Sequence, residues 1–301
     1  MCEAFNMARP RMEYVKSAEK AVRKCTHHKY SKITNSGDSA ILTAMSNFNR
    51  KILVPDQGGW SGFIKTAKFL GLEINYLPTD WGLIDPEILK DTLEKESFDA
   101  LFLTSFAGYT AEQPLNEIYK ICLEEEVTLV EDASGAIGDR TGKLANGKHS
   151  HIIVASTGSP KIVNVGNGGF ISTNEKNLLE IPLNFLKADP VTCAGISYEI
   201  KNAPTVLSKT ISSCCYLKKE LEDVFHIDKR GINVILKTDK ANTIAKKLRS
   251  VLNVHNGGMI SKCPRYDRLM ENAVVLELKN LDIRCLTPDN IDKIIKNVNN
   301  L

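Results

Sequence analysis

The chain has no apolar run long enough to cross a bilayer. Thr128-Leu129-Val130 and Ile152-Ile153-Val154-Ala155 are a fraction of the roughly 20 residues that a span needs. Its N-terminus carries acidic and basic residues where a secretory signal would be apolar, so a cytoplasmic protein with no membrane contact is expected. An excess of one charge is also missing. The 39 basic and 36 acidic residues leave a formal charge of +3, too little to drive the chain onto nucleic acid. Eight cysteines include no Cys-x-x-Cys, which argues for reduced thiols rather than a disulfide framework. Cys214 and Cys215 are neighbours in a helical pattern and point in different directions, so packing is expected of them rather than redox chemistry. His149 and His151 share a face of a strand, but no third ligand accompanies them and no metal is expected. There are no repeats and no low-complexity segments. The partner that remains is a small molecule.

What is present is material for a substantial core: 301 residues, 43% of them hydrophobic. Between residues 33 and 173 short apolar runs alternate with helical patterns, which predicts βα units and a mostly parallel sheet. The expected strands are Ile52 to Pro55, Glu73 to Leu77, Ala100 to Ser105, Thr128 to Ala133, His151 to Ser156 and Gly169 to Thr173. The expected helices are Ala40 to Phe48, Ser61 to Leu70, Pro86 to Lys95 and Pro114 to Glu125, two of them opening on proline. A polar helical stretch from Lys201 to Asp223 leads to strand Ile232 to Lys237, helix Lys240 to Leu252, strand Ala273 to Leu278 and a last helix opened by Thr287-Pro288-Asp289. The fold class is therefore α/β. A large domain over residues 1–222, with an N-terminal helical arm and a linking helix, is expected to precede a small α/β domain over 223–301.

Lys161 lies in Ser156-Thr157-Gly158-Ser159-Pro160-Lys161, before Gly166-Asn167-Gly168-Gly169, and Glu131-Asp132-Ala133 ends an apolar strand upstream. A lysine amine can form a Schiff base with a cofactor aldehyde, and an aspartate can keep a pyridine nitrogen protonated. Asp132, Ser156 and Lys161 all follow the carboxyl ends of strands, where open α/β sheets place ligands. Ser36-Gly37-Asp38 opens the first helix, where backbone N–H groups can hold a phosphate. Trp60 follows the strand ending at Pro55 and is near enough to stack on a planar ring. Taken singly, each has an ordinary reading: a solvated lysine, a strand-end aspartate, a glycine turn. The glycines form neither a Walker loop, since no Gly-Lys-Ser/Thr follows, nor a dinucleotide fingerprint, since a strand follows and not a helix. The order and spacing of the whole set carry the inference to pyridoxal phosphate (PLP).

In that order (Asn-Ser-Gly…Ala, Glu-Asp-Ala…Ala-x-Gly, Ser-x4-Lys, Gly-x-Gly-Gly-Phe-Ile-Ser-Thr-Asn) the chain resembles the fold-type I PLP enzymes, most closely the DegT-like sugar aminotransferases, from about residue 8 to 222. The resemblance implies that Lys161 forms the Schiff base and that Asp132 pairs with the pyridine nitrogen. It implies a phosphate held by Ser156 and by the amides of Gly37 and Asp38, with Ser36 beside them, and a homodimer. Trp60 lies one residue from the family's stacking aromatic, whose own position is Gly59. It further implies an aminotransferase that moves an amino group from a small amino donor to a carbonyl acceptor such as a keto sugar.

Four departures bear on function. Gly135 replaces a glutamine, so one hydrogen bond to the cofactor is expected to be lost or supplied by Ser134. Ser197 and Glu199 replace the asparagine and arginine of a segment that in relatives reaches the partner's site. Asp38 replaces a small polar residue and brings negative charge toward the phosphate, or serves as a helix cap. The chain is shorter than most members of that family, and the shortfall falls in the substrate-binding second half. Two other readings stand beside the transaminase: a PLP-dependent lyase or β-replacement enzyme of the cysteine desulfurase kind, for which Cys263 is the nearest candidate carrier, and a non-catalytic regulator of the same fold. For a substrate carboxylate, Arg265 and Arg284 are the candidate forks.

Overall fold

The computed structural model describes residues 13–179, 182–253 and 258–301. Helix α1 (Glu13–Thr26) precedes strand β1 (Tyr30–Thr34) and α2 (Gly37–Met45). Strand and helix then alternate: β2 (Lys51–Pro55), α3 (Ser61–Leu70), β3 (Glu73–Leu77), α4 (Pro86–Lys95) and β4 (Ala100–Thr104). A small hairpin of β5 (Phe106–Ala107) and β6 (Ala111–Glu112) leads into α5 (Leu115–Glu124) and β7 (Thr128–Asp132). Strands β8 (Ile152–Ser156) and β9 (Gly169–Thr173) complete the large sheet, followed by α6 (Pro190–Glu199) and α7 (Ala203–Glu220). The C-terminal part holds β10 (Val234–Lys237), α8 (Ala241–Val251), β11 (Ile260–Cys263), β12 (Ala273–Leu276) and α9 (Pro288–Asn299). Among the described residues no helix is long and apolar enough to cross a membrane.

The large sheet runs β1-β9-β8-β7-β4-β2-β3. Pairs β3-β2, β2-β4, β4-β7 and β7-β8 are parallel, and β9 runs antiparallel to both of its neighbours. Its central strands read as continuous apolar runs because helices cover both faces. Alternate residues sort accordingly. Leu53, Leu101, Leu129, Ile153 and Phe170 pack toward α1, α4, α5 and α6, while Ile52, Val54, Phe102, Val130 and Ile171 pack toward α2 and α3. The small sheet, β10-β12-β11, is antiparallel, and α7, α8 and α9 bury Leu217, Leu248 and Ile294 against one face. Helix α7 also buries Ala203, Leu207 and Ile211 in the core of the large sheet.

Most elements start or stop within two residues of the sequence expectation, with one informative shift. Helix α2 begins at Gly37 rather than Ala40, because the Ser36 side chain accepts the amide of Ser39 and caps it three residues earlier. Strands β1 and β11, the β5–β6 hairpin and α6 were not expected from the pattern. β1 alternates exposed and buried residues and draws its place from pairing with β9.

Candidate active site

Strands β2, β4, β7 and β8 end at one rim of the sheet. After β2 the chain leaves for the edge strand β3 and returns to β4 on the other flank of β2, so the loops after β2 and β4 diverge and open a crevice. A cavity of about 260 Å³ at this rim is lined by Ser36, Gly37, Asp38, Trp60, Asp132, Ser134, Ser156 and Lys161. Eight residues expected from the sequence are thus brought together. Ser197 is not. It stands on α6, where its hydroxyl shares a 3.0 Å hydrogen bond with Ser17 of α1.

Asp132 ends β7 as a buried side chain whose Oδ1 accepts from the Ser134 amide at 2.9 Å and the Ser134 hydroxyl at 2.5 Å. Burial pushes its carboxyl above the usual aspartate range, against the pull of the Lys161 ammonium and the Ser134 donors. The Ser134 hydroxyl also accepts the Ser156 amide at 2.8 Å, which ties the ends of β7 and β8. It is therefore committed and does not stand in for the glutamine missing at Gly135. A Cβ at Gly135 would lie 2.8 Å from Ile232 Cδ1 and 3.4 Å from the Tyr109 ring, so these two side chains occupy the space instead. The neighbouring Glu131 faces the opposite side of the sheet. Its carboxylate accepts from Ser105 and Ser150 hydroxyls, both at 2.6 Å, and from the Ala145 amide at 2.8 Å, fixing the strand that presents Asp132.

Lys161 sits in the loop between β8 and β9. Thr157 closes its neck: its amide donates to Gly168 O at 3.0 Å, its hydroxyl to Asn167 O at 2.6 Å, and its carbonyl accepts Val165 N at 2.9 Å. The Lys161 Nζ lies 5.6 Å from the Trp60 ring centre and 5.7 Å from that of Tyr109, between two aromatic rings. Its ammonium is held above the usual lysine range, first by the Tyr109 oxygen and then by Asp132, against burial and the charge of Arg268. Trp60 is fixed by its indole N–H, which donates to Asp38 Oδ1 at 3.1 Å.

The opposite end of the cavity suits an anion. Gly37 and Asp38 are the first residues of α2, whose leading N–H groups have no partner within the helix. A Cβ on Gly37 would stand 2.5 Å from the Ser156 Cβ, so only glycine lets the helix start approach β8 this closely. Amides, the Ser156 hydroxyl, the Trp60 ring, an amine and a buried carboxylate together fit a phosphorylated pyridine aldehyde.

Tyr109, Arg268 and Lys279 were not singled out in the sequence. Tyr109 adopts a left-handed backbone (φ 63°), and its carbonyl accepts the amides of Ile232 and Asn233, both at 2.9 Å. The buried Lys218 ammonium, pushed down to about 8 by burial, holds the next carbonyl, Thr110 O, at 2.7 Å, together with His226 O and Lys229 O. Arg268, not Arg265, is the arginine whose guanidinium lies over Tyr109, 4.4 Å from the ring centre. Arg265 pairs with Asp267, and Arg284 is exposed and paired with Asp282, so neither expected fork reaches the cavity. Cys263 is buried in β11 with its thiol pushed up by burial, a poor persulfide carrier. Cys214 is buried and Cys215 half-buried in α7. Among the described residues no three His, Cys, Asp or Glu side chains are placed to hold a metal ion. His151 instead packs against Tyr119, 4.8 Å between ring centres.

A mostly parallel sheet with helices on both faces is the architecture of the fold-type I PLP enzymes, and solved structures bear out that fold. An aminotransferase from Brucella abortus superposes with a TM-score of 0.75 at 14% identity, covering 99% of this chain and 93% of its own. The GDP-4-keto-6-deoxy-D-mannose-3-dehydratase of E. coli, with bound hydrated PLP, gives 0.74 at 19% identity, covering 95% and 92%. The model of the DegT/DnrJ/EryC1/StrS aminotransferase family matches residues 8–188, and the chain belongs to that family. The model of the MJ1341 family C-terminal domain matches residues 204–299. Among curated proteins, the UDP-4-amino-4,6-dideoxy-N-acetyl-beta-L-altrosamine transaminase of Helicobacter pylori is 28% identical over 164 residues, 50% of this chain. That match spans 41% of the transaminase's own length.

Proposed function

We propose that this protein is a PLP-dependent aminotransferase that moves an amino group from a small amino donor to a carbonyl acceptor, with Lys161 as the reacting amine. One observation carries the reading: Lys161, Asp132 and the Gly37–Ser156 cradle line one cavity of about 260 Å³. PLP bound there supplies an aldehyde for an amine and an electron-withdrawing ring. The chain's residues have separate tasks. The Gly37 and Asp38 amides and the Ser156 hydroxyl would hold the phosphate, Trp60 would cover the ring, and Asp132 would pair with the ring nitrogen. Lys161 would be the amine that holds the cofactor's aldehyde end and, once freed, the base that carries a proton between the reacting carbons. The family and the sugar transaminase among its relatives support a nucleotide-linked keto sugar as acceptor. A homodimer is part of the reading, supported by Phe185, Val191 and Tyr198 standing exposed on and beside α6.

The test is an absorbance spectrum with added PLP, before and after borohydride, then peptide mapping and a half-reaction screen with amino acids. A visible band that is fixed by borohydride on Lys161, and lost on adding a donor amino acid, is expected. No band and no fixed adduct would sink the enzyme reading.

Asp38 gives a smaller prediction. Its exposed carboxylate stands at the helix start proposed to hold the phosphate, and water screens it, so the repulsion is worth about 1 kcal/mol or less. Asp38→Asn keeps an oxygen for the Trp60 indole and removes the charge. PLP titration should show binding tightened about threefold, with the gap shrinking at high salt. Weaker binding by the Asn variant would assign Asp38 to holding the cofactor instead.

A further inference from the structure

Lys218 occupies a position that its helix otherwise gives to apolar side chains. Cys214, Leu217 and Leu221, spaced i, i+3 and i+7 along the stripe of α7 and its cap, lie in the core of the small sheet, and Lys218 fills i+4, fully buried. Its ammonium donates to three main-chain carbonyls: Thr110 O at 2.7 Å, His226 O at 2.8 Å and Lys229 O at 2.9 Å. All three of its protons are thus spent on neutral oxygens. Among the described residues Thr110 O and Lys229 O have no other donor. Thr110 lies in the turn between β5 and β6, and His226 and Lys229 in the loop between α7 and β10. That loop runs along the hairpin. Glu112 N donates to Arg230 O at 2.8 Å, and the Ile232 and Asn233 amides donate to Tyr109 O, both at 2.9 Å. Between these bonds Gly231 passes so close that a Cβ there would stand 2.1 Å from Thr110 O. Tyr109 (φ 63°) and His226 (φ 51°), on the two sides of the ammonium, hold left-handed backbones, which residues other than glycine keep only where their surroundings impose them.

We propose that Lys218 is a positioning residue for the active site: its ammonium is the resident cation of a three-carbonyl site, and through Thr110 it holds the turn that stands the Tyr109 ring beside Lys161. The inference rests on the reading of Lys161 as the reacting amine. Carbonyl oxygens converging on one point are how a main chain takes the place of a monovalent cation's hydration shell. Without a cation these oxygens face one another, repel, and lose the donor that offsets their burial. The loop and the hairpin then separate. Tyr109 is tied to the loop by its own carbonyl and is drawn with it, so its ring leaves the place 5.7 Å from Lys161 Nζ. The Tyr109 oxygen, first among the groups that hold Lys161 as an ammonium, leaves with the ring.

The experiment takes the full-length protein without added PLP, near neutral pH, below the value of about 8 to which burial lowers the Lys218 amine, so that the wild type carries the charge. Two quantities are read: the melting temperature, and the labelling rate of Lys161 by trace acetylation with peptide mapping. Lys218→Met, similar in length and uncharged, should melt roughly 5 °C lower. It should also label Lys161 about threefold faster, because the amine is freed of the Tyr109 oxygen. Lys218→Ala should show both changes. Refolding it with n-propylammonium chloride, which supplies the removed atoms and the charge, should reverse both, whereas equal propanol or choline chloride should reverse neither. A Met variant that matches the wild type in both readings, no reversal by propylammonium, or an equal reversal by propanol would overturn the cation site. A Met variant that melts early but labels Lys161 at the wild-type rate leaves Lys218 an anchor of the fold and overturns the positioning role. Should the Met variant not fold, Lys218→Gln, whose neutral amide can serve two of the carbonyls, takes its place with smaller changes of the same sign. Mapping of borohydride-fixed PLP in the wild type separates the two claims. No adduct on Lys161 overturns the functional reading and leaves the labelling rate to decide whether Lys218 holds Tyr109 against Lys161.

Discussion

Lys161→Ala should lower transamination by about 10⁴-fold while PLP still binds. Two contributions vanish together: the covalent link that holds the cofactor aldehyde ready for exchange, and the base that moves the proton between carbons, the second alone worth roughly 10²–10⁴. The groups proposed to hold the rest of the cofactor lie elsewhere in the cavity. The Gly37 and Asp38 amides and the Ser156 hydroxyl belong to α2 and β8, and Asp132 to β7. None depends on Lys161 for its position: Asp132 is held by Ser134, and Ser134 in turn by the Ser156 amide. The variant should therefore fold, bind PLP and show no borohydride-fixed adduct, with single-turnover conversion of a donor amino acid as the measurement. Full turnover in the Ala variant would remove Lys161 from the chemistry. Unchanged partner binding with no turnover in either protein would favour a regulator that keeps the fold.

How far the site could be read from the sequence depends on how locally each residue is held. Asp132, Ser156 and Lys161 are set by the strand they end or the loop they follow, and strand ends in an α/β pattern are visible from apolar periodicity. Ser36 was legible as a polar residue at a helix start, although its cap moved that start to Gly37. Tyr109 was not legible. Its left-handed turn is held by Ile232 and Asn233, and the adjoining carbonyl by Lys218, more than a hundred residues away. Nothing near Gly108-Tyr109 announces those partners. The choice among arginines failed for a similar reason: Arg265 and Arg268 share one loop, and Glu277, just past the end of β12, draws Arg268 inward while Asp267 keeps Arg265 outside. Gly135 shows that a lost side chain need not leave a gap, since Ile232 from the C-terminal part fills the space.

Asp132→Asn should separate function from stability in opposite directions. A carboxylate facing the ring nitrogen keeps it protonated, and the electron-withdrawing ring depends on that charge. Asn still offers Oδ1 to the Ser134 amide and hydroxyl, so the local geometry survives, but it supplies no negative charge. Turnover should fall by about 10²–10³, the usual cost of removing one preorganised electrostatic group. The cofactor-free protein should behave otherwise. Burial holds the Asp132 carboxyl above its ordinary range even with Lys161 and Ser134 opposing it. The folded state thus binds more protons than the unfolded chain from about pH 4 upward to that raised value, so this group's contribution to stability falls as pH rises through the window. Asn carries no such cost. Glu131 is displaced in the same direction, chiefly by its own burial and in part by the charge of Asp132, so the Asn variant relieves Glu131 as well and the two effects add. At pH 7 the cofactor-free variant should melt at or above the wild-type temperature, and the gap should close as pH falls toward about 4. A variant that melts earlier at pH 7 would show the Lys161–Asp132 attraction outweighing burial, and one that keeps turnover within about tenfold of the wild type would take Asp132 away from the ring nitrogen.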